Sequence, residues 1–211
     1  MSSVLKQPAP GRPKDLEKRA AILDAGKRLF PRQGFEGTSM DAIAAEAGVS
    51  KLTVYSHFTD KETLFREVIQ AKCEEQLPLS LFLADLDGPI RGQLMTIARA
   101  FFTLITSEDA ISLHRMMTAQ TQQSMKLAQM FWEAGPKRLQ DSFEMFLRAE
   151  IAAGQLDIPD PRRATGQFFC LLKGELHARM MFGCCDPISD LDVGAHLEAT
   201  VDLFLRAYSP R

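Results

Sequence analysis

The side chains with the most informative chemistry lie on a short predicted helix at residues 51–58. Thr53 and Ser56 carry hydroxyl groups that donate and accept hydrogen bonds, and Leu52 adds an apolar surface beside them. Groups this short can approach the edges of base pairs, where hydroxyls bond to bases and an apolar side chain contacts the methyl group of thymine. No acidic residue occurs within this helix. The pattern therefore predicts a surface that reads DNA sequence.

Polar and basic groups around this surface are predicted to contact the DNA backbone. Tyr55 has the reach and the terminal hydroxyl to meet a phosphate, and helix N-termini at residues 38–39 and at Lys61 favour anions. Basic residues near the start of the chain are expected to enter the adjacent minor groove. The predicted DNA-binding residues are Arg12, Lys14, Thr38, Ser39, Ser50, Lys51, Leu52, Thr53, Tyr55, Ser56, His57 and Lys61.

Two short helices joined by a tight turn must position these side chains. Residues 38–41 match the [ST]-x-x-[DE] capping pattern, which predicts that a helix begins there. Gly48 ends that helix, because glycine adopts a left-handed backbone at little cost, and Ser50 caps the next one. Val54 and Phe58, four residues apart, then point to the interior together. This arrangement predicts a helix-turn-helix, whereas a plain helical hairpin leaves the missing carboxylates unexplained.

The rest of the chain also follows helical periodicity, which indicates an all-α fold. An amphipathic helix at residues 22–30 should end or bend at Pro31, and a long helix should run from the capping pattern at residues 59–62 to Pro78. Further helices are predicted at residues 89–106, 110–121, 124–133, 136–153, 161–182 and 190–208. We expect a flexible basic arm (1–13), a three-helix helix-turn-helix domain (14–60) and a helical ligand-binding and dimerisation domain (61–211).

The charge distribution is uneven along the chain. The formal net charge is −2, but residues 1–35 hold eight basic and three acidic residues, which leaves +5 there and −7 on the remainder. A basic head on an acidic body is expected when only one end of a protein meets phosphate. No apolar run approaches the roughly 20 residues of a membrane span, and no signal peptide is recognisable. These features predict a cytoplasmic protein.

Enzymatic and metal chemistry find no support in the motifs. The four histidines are scattered, and neither a G-x-S-x-G nor an H-E-x-x-H sequence occurs. The four cysteines form no C-x-x-C pair and no metal-ligand spacing with histidine. We therefore expect no enzyme activity, no metal and no cofactor. The adjacent residues Cys184 and Cys185 leave a redox-responsive regulator open as a second interpretation.

Residues 16–66 resemble the DNA-binding domain of the TetR family of bacterial regulators. The motifs that carry the resemblance are Ile22-Leu23-Asp24-Ala25, Leu29-Phe30, Gly34-Phe35-Glu36-Gly37-Thr38-Ser39, Ile43-Ala44, Ala47-Gly48-Val49-Ser50 and Val54-Tyr55-Ser56-His57-Phe58, followed by Lys61-Glu62 and Leu64-Phe65. The resemblance implies an all-helical homodimer, usually a repressor, that releases DNA when a small ligand enters its C-terminal domain. One departure is Pro31, where the family's first helix commonly continues for another turn.

The C-terminal half is similar to the AefR-like C-terminal domains of the same family. The similarity is carried by Leu113-His114-Arg115-Met116, Phe131-Trp132-Glu133-Ala134-Gly135-Pro136, Ala153-Gly154-Gln155-Leu156 and Asp160-Pro161. It implies a ligand pocket, and aromatic and methionine side chains suit an adaptable hydrophobic one. The same stripes are also typical of a plain helical core. The candidate ligand-binding residues are Phe101, Phe102, Ile105, His114, Met117, Phe131, Trp132, Phe143 and Cys170.

Dimerisation is predicted through the last two helices. Both carry apolar faces, and two such helices from each subunit would form a four-helix interface. Two copies of a short recognition helix can read a palindrome, whereas one copy discriminates little. The expected partners are thus a DNA operator, a small-molecule effector and a second copy of the chain. The same features also fit a DNA-binding regulator without a ligand and an architectural DNA-binding protein.

Overall fold

The computed structural model describes residues 12–82, 88–120, 125–184 and 192–210, without the side chains of residues 12–14 and Gln120. Within these ranges the chain is helical and forms no strand. It divides into two compact units, the first ending at Val68 and the second beginning at Ile69. The first unit contains α1 (Arg12–Gly37), α2 (Met40–Ala47), α3 (Lys51–His57) and the first half of α4 (Lys61–Gln76). The all-α prediction is confirmed.

Aromatic side chains hold the N-terminal unit together. Phe30 on α1 is fully buried, and its ring meets the edge of the Phe65 ring at 5.1 Å between centroids and stacks on Phe35 at 6.0 Å. Gly26 lets α4 come close to α1, because a Cβ atom there would lie 2.6 Å from Cγ2 of Val68. The turn of α4 that follows Lys61 therefore belongs to this core.

The interruption of α1 falls at Gly34 and not at Pro31, so the predicted end at the proline is wrong. Gly34 has φ 74° and ψ 170°, whereas the helix continues through Pro31. Proline removes one backbone donor, but its fixed φ is compatible with a helix. A φ of this sign strongly favours glycine, so the chain turns where glycine stands.

The C-terminal unit is a helical bundle. It comprises the second half of α4, a 3₁₀ helix (Leu79–Phe82), α5 (Ile90–Thr106), α6 (Glu108–Gln120), α7 (Met125–Ala134), α8 (Pro136–Ala152), α9 (Pro161–Phe182) and α10 (Val193–Tyr208). α5 packs against α6, α9 and α10, and α8 packs against α7 and α9. In the part of the chain that the structure describes, no helix has both the length and the apolar character needed to cross a membrane.

A glycine allows α9 and α10 to approach each other closely. Gly174 interrupts α9 with φ 52° and ψ −160°, and a Cβ atom there would lie 2.9 Å from Cε1 of His196 on α10. The Nε2 atom of His196 donates a hydrogen bond to the carbonyl oxygen of Leu172, 2.9 Å away. The imidazole thus occupies the space that the missing side chain leaves.

Gly174→Ala is expected to destabilise the C-terminal unit by roughly 1–3 kcal/mol, because a Cβ atom strains this backbone conformation and collides with His196. Gly166→Ala in the same helix is the matched control. A Cβ atom at Gly166 meets nothing within 4 Å, so this variant should gain up to about 1 kcal/mol from helix propensity. Urea unfolding of both variants measures the difference, and equal stabilities would contradict the assigned role of Gly174.

Candidate nucleic-acid interface

Local side-chain bonds fix the two short helices of the N-terminal unit. The Ser39 hydroxyl caps α2 by accepting the backbone N–H of Ala42 at 3.0 Å, and the Ser50 hydroxyl caps α3 by accepting that of Thr53 at 3.1 Å. Between them Gly48 has φ 66°, the left-handed conformation expected at this turn. The predicted helix-turn-helix is therefore present, with Ser39 rather than Thr38 as the first cap.

α3 has one buried face and one open face. Val54 is fully buried, and so is Phe58, which directly follows the helix. Leu52 is 82 % exposed, and Tyr55 and Ser56 are also exposed, with no charged group on the helix except Lys51 and His57. Side chains on this face are free to meet the edges of base pairs in a major groove. The outward positions agree with the helical periodicity, and their contact with DNA stays a prediction.

The hydroxyl groups of this face are partly committed within the helix. The Ser56 hydroxyl donates to the Thr53 carbonyl oxygen at 2.8 Å, and the hydroxyls of Ser50 and Thr53 lie 2.9 Å apart. Ser56 therefore offers its oxygen mainly as an acceptor for base amino groups. These bonds also hold the hydroxyls in fixed positions, which favours discrimination between bases.

Lys51 is paired with a carboxylate that the sequence pattern did not connect to it. Its Nζ atom lies 2.8 Å from Oδ1 of Asp41 on α2, and this hydrogen bond together with the aspartate's charge raises the lysine pKa. The capping pattern places Asp41 at the start of α2, but it does not indicate the reach to α3. Exposed ion pairs of this kind contribute little to stability, so Lys51 can exchange Asp41 for a phosphate.

Three predicted DNA contacts have structural partners within the N-terminal unit, and their contact with DNA stays a prediction. Thr38 is fully buried and its hydroxyl donates to the Gly34 carbonyl oxygen at 2.7 Å, so it supports the turn after α1. His57 keeps only 10 % of its side chain exposed and lies 3.2 Å from an Asp15 carboxylate oxygen. Lys61 donates to the Phe35 carbonyl oxygen at 2.8 Å and covers the Phe35 ring, which removes its ammonium from the open surface.

The remaining predicted DNA contacts include two helix caps and two basic residues near the start of the chain. Ser39 and Ser50 are exposed and act as helix caps, so their side chains stand at positively polarised helix ends. The arm at residues 1–11 lies outside the described residues, as do the side chains of Arg12 and Lys14. The structure therefore gathers Ser50, Lys51, Leu52, Thr53, Tyr55 and Ser56 on or beside one open face, with Ser39 at the start of the preceding helix.

Two candidate ligand-binding residues lie at the surface of the C-terminal unit and not in its interior. Trp132 is 45 % exposed, because α7 buries Leu127, Met130 and Ala134 and turns the adjacent tryptophan outward. Cys170 is exposed because α9 buries its neighbours Phe169 and Leu172 on the opposite face. The sequence pattern does not distinguish such an aromatic or sulfur side chain from the buried residue next to it.

The other candidate ligand-binding residues lie inside the C-terminal unit but not in one cluster. Phe143 stacks on Phe168 at 4.8 Å between centroids, and Phe101 contacts Phe169 at 4.5 Å. Phe102 and Ile105 are buried in the same core. The half-buried side chains of His114 and Phe131 form a separate group, with their ring centroids 5.6 Å apart, and Met117 is buried one turn beyond His114.

The adjacent cysteines near the end of α9 are described only in part. Cys184 is exposed and carries a free thiol. Cys185 lies outside the described residues. Redox control through this pair therefore stays a prediction that rests on the sequence.

Two family models match the chain, one in each compact unit. A model described as "Bacterial regulatory proteins, tetR family" matches residues 22–68. A second, described as "AefR-like transcriptional repressor, C-terminal domain", matches residues 92–210. The two matches together cover the open face of α3 and nearly the whole helical bundle.

Curated relatives match only part of the chain. The chain is 48 % identical to the HTH-type transcriptional regulator AcrR of Shigella flexneri over 52 residues, which are 25 % of this chain and 24 % of AcrR. It is 39 % identical to the transcriptional activator FasR of Mycolicibacterium smegmatis over 106 residues, 47 % of this chain and 48 % of FasR. The matches thus span from about a quarter to about half of each of these relatives.

Solved structures resemble the chain over almost its full length. A TetR-family transcriptional regulator from Mesorhizobium loti is 30 % identical, with a TM-score of 0.78 over 93 % of this chain and 99 % of that one. The flavonoid-responsive regulator FrrA is 34 % identical, with a TM-score of 0.70 over 92 % of this chain and 98 % of that one. These relatives are regulators and not enzymes.

Proposed function

The chain belongs to the TetR family of bacterial transcriptional regulators, and we propose that it represses transcription from a palindromic operator until a small effector releases it. The observation that carries this proposal is the open face of α3, where short hydroxyl groups and Leu52 stand outward without a carboxylate on the same helix. Such a face suits the major groove. We expect the protein to act in the cytoplasm, where its DNA is found.

Selection of bound fragments from random duplex DNA at physiological salt tests the DNA-binding part of this proposal. We expect a palindromic motif whose half-sites lie about one helical turn apart, near 34 Å. Competition with unrelated DNA should show a preference of at least about a thousandfold. Tight binding without a motif would contradict a specific regulator and support an architectural DNA-binding protein.

Thr53→Ala and Tyr55→Phe should affect operator binding in different ways. The Thr53 hydroxyl is expected to meet a base, so its removal should reduce the free-energy preference at one base pair by about 1–3 kcal/mol. The Tyr55 hydroxyl is expected to meet a phosphate, so its loss should weaken binding to all sequences alike. Titration of both variants against the selected operator and single-base variants of it separates the two effects. The reverse pattern would mean that the two roles are exchanged.

We propose a homodimer formed through α9 and α10. The outward face of α9 presents Cys170, Leu171 and Ala178, and that of α10 presents Ala199 and Leu203. These side chains are small or apolar, as in the contact faces of four-helix bundles. Because α9 and α10 pack against each other, their outward faces offer a surface that a second copy can cover.

A double variant, Leu171→Glu with Leu203→Glu, should convert the dimer to monomers. Four carboxylates would meet across a two-fold interface, which we expect to weaken association more than a hundredfold, on the order of 3 kcal/mol. Sedimentation equilibrium measures the dissociation constant. Met145→Glu, an equally drastic change at an exposed residue of α8, is the control and should stay dimeric. A dimeric double variant would exclude this interface.

The effector is proposed to be small, largely hydrophobic and aromatic. FrrA, which is similar over nearly the full chain, is named as flavonoid-responsive, and the C-terminal unit of this chain is rich in phenylalanine and methionine. An effector that prefers the released state by about 3 kcal/mol would weaken operator binding more than a hundredfold. We propose that α4, which runs from the first unit into the second, carries the change.

A further inference from the structure

Two half-buried imidazoles lie close together in the C-terminal unit. His114 on α6 and His177 on α9 have ring centroids 5.6 Å apart and ring planes at 86°. The Phe131 ring of α7 meets His114 at the same centroid distance. Nε2 of His177 is shielded from solvent and has no hydrogen-bond partner among the described residues, whereas the shielded Nδ1 of His114 has only the Ala110 backbone, one turn earlier, within reach. Three helices thus converge on two shielded ring nitrogens, of which that of His177 has no partner.

The electrostatic surroundings of this pair are positive. Burial lowers the pKa of His114 to about 4, with His177 and Lys173 acting in the same direction and a hydrogen bond to the Ala110 backbone acting against them. Burial and Lys173 likewise lower the pKa of His177. Both rings are therefore neutral near pH 7, and each offers one N–H donor and one acceptor nitrogen.

The positive charge of Lys173 is not paired within the part of the chain that the structure describes. Lys173 precedes His177 by four residues and forms no ion pair there, and no acidic group contributes to the pKa shift of either histidine. Arg115, beside His114 in sequence, is already engaged, because its guanidinium donates to the carbonyl oxygens of Met180 and Met181. Lys173 is thus left to attract an anion.

Shielded ring nitrogens beside the Phe131 ring, and an unpaired lysine one turn before His177 on the same helix, point to a ligand. A buried polar atom without a partner is costly, so native structures usually supply one. Resting on the proposed function, we propose that His114, His177 and Lys173 bind the acidic oxygen of an aromatic effector whose apolar body lies against Phe131. A carboxylate and an acidic phenol share this chemistry.

Two matched pairs of probes test this site on the full-length protein. The first pair is 4-phenylbenzoate and its methyl ester, and the second is 7-hydroxyflavone and 7-methoxyflavone. Calorimetry gives each dissociation constant, and fluorescence of Trp132, the single tryptophan of the chain, gives an independent reading next to Phe131. We expect the acidic member of at least one pair to bind tenfold or more tightly than its neutral partner. The pair that shows this preference identifies the source of the oxygen.

Variants link the preference to the three side chains. Lys173→Met and a double change of His114→Leu with His177→Leu should each reduce the preference to about onefold, while the neutral probes bind as before. Lys137→Met, at an exposed lysine of α8, is the control and should keep the full preference. Thermal melting and operator binding of each variant verify that it is folded. Because Lys173 is only half-buried, its variant keeps the test valid if the histidine variant fails to fold.

The outcomes separate this site from the proposed function. If the preference disappears in the variants but no probe alters operator binding, the site stands and the release mechanism is wrong. If a probe releases operator equally well from the parent protein and the variants, the release mechanism stands and the site is wrong. Binding of no acidic probe at up to millimolar concentration, or equal binding of acid and neutral partner, overturns the site assignment.

Discussion

We expect Leu52→Glu to abolish specific operator binding while the protein remains fully folded. Leu52 is 82 % exposed on the open face of α3, so the substitution removes little packing. A carboxylate there would face the acceptor groups and phosphates of DNA, which repel it. We expect the loss to exceed a hundredfold, about 3 kcal/mol or the equivalent of one to three mismatched base pairs.

Fluorescence anisotropy with the selected operator measures this effect at two or more salt concentrations. Met145→Glu, which places the same charge on an exposed apolar position of α8, should bind operator as tightly as the parent protein. Both variants should melt at the parent temperature. Parent-like affinity of Leu52→Glu would remove the open face of α3 from the DNA interface and with it the main support for the proposed function.

Phe30→Ala should lower the free energy of unfolding more than any other substitution that we propose. Phe30 is fully buried and contacts both Phe35 and Phe65, so truncation leaves a cavity beside two rings. Phenylalanine-to-alanine changes in cores cost about 3–5 kcal/mol, and a whole domain is stable by only about 5–15 kcal/mol. We expect the N-terminal unit to unfold at ordinary temperatures or close to them, with loss of operator binding.

Residue-resolved hydrogen exchange tests this prediction and reports on each unit separately. Protection should fall throughout α1, α2 and α3 in Phe30→Ala. Phe182→Ala is the control, because Phe182 is 81 % exposed at the end of α9 and its loss should change protection nowhere. An unchanged pattern in Phe30→Ala would mean that the aromatic cluster does not hold the unit together.

Local patterns were sufficient to predict most of the fold. Gly48 and Ser50 mark the turn and the start of α3 because their conformational preference and capping bond involve only neighbouring residues. The bounds of α9 follow in the same way from Pro161 and Gly183. The break in α1 was misplaced because Pro31 and Gly34 both disrupt helices, and only the required φ decides between them.

The candidate DNA interface was predictable only where a side chain points straight outward. Leu52 and Tyr55 follow from helical periodicity once Val54 is placed inside. Lys61 and His57 could not be assigned from periodicity, because long side chains reach partners on other helices. Lys61 covers Phe35, 26 residues earlier, and His57 approaches Asp15, 42 residues earlier. No local sequence pattern indicates contacts over such separations.

The C-terminal unit shows the same limit. His114 was a candidate from its motif, but its proximity to His177 joins residues on α6 and α9 that are 63 positions apart. Nothing in the sequence indicates that two of four histidines meet. Phe131 and Trp132 show the converse, because they are adjacent in the sequence but do not share the same surroundings. Neighbours in a helix point about 100° apart.

The separation between cap residues and outward residues in the N-terminal unit has an evolutionary consequence. Ser39 and Ser50 hold the starts of α2 and α3, and Asp60 holds that of α4 by accepting the backbone N–H of Thr63 at 2.7 Å. Leu52 and Tyr55 stabilise none of these helices through a side-chain bond that the structure shows. If the open face of α3 reads the operator as proposed, a gene copy can change its outward residues and acquire a new operator without first gaining compensating mutations. Duplicated regulators of this architecture can then diverge in target while their scaffold stays the same.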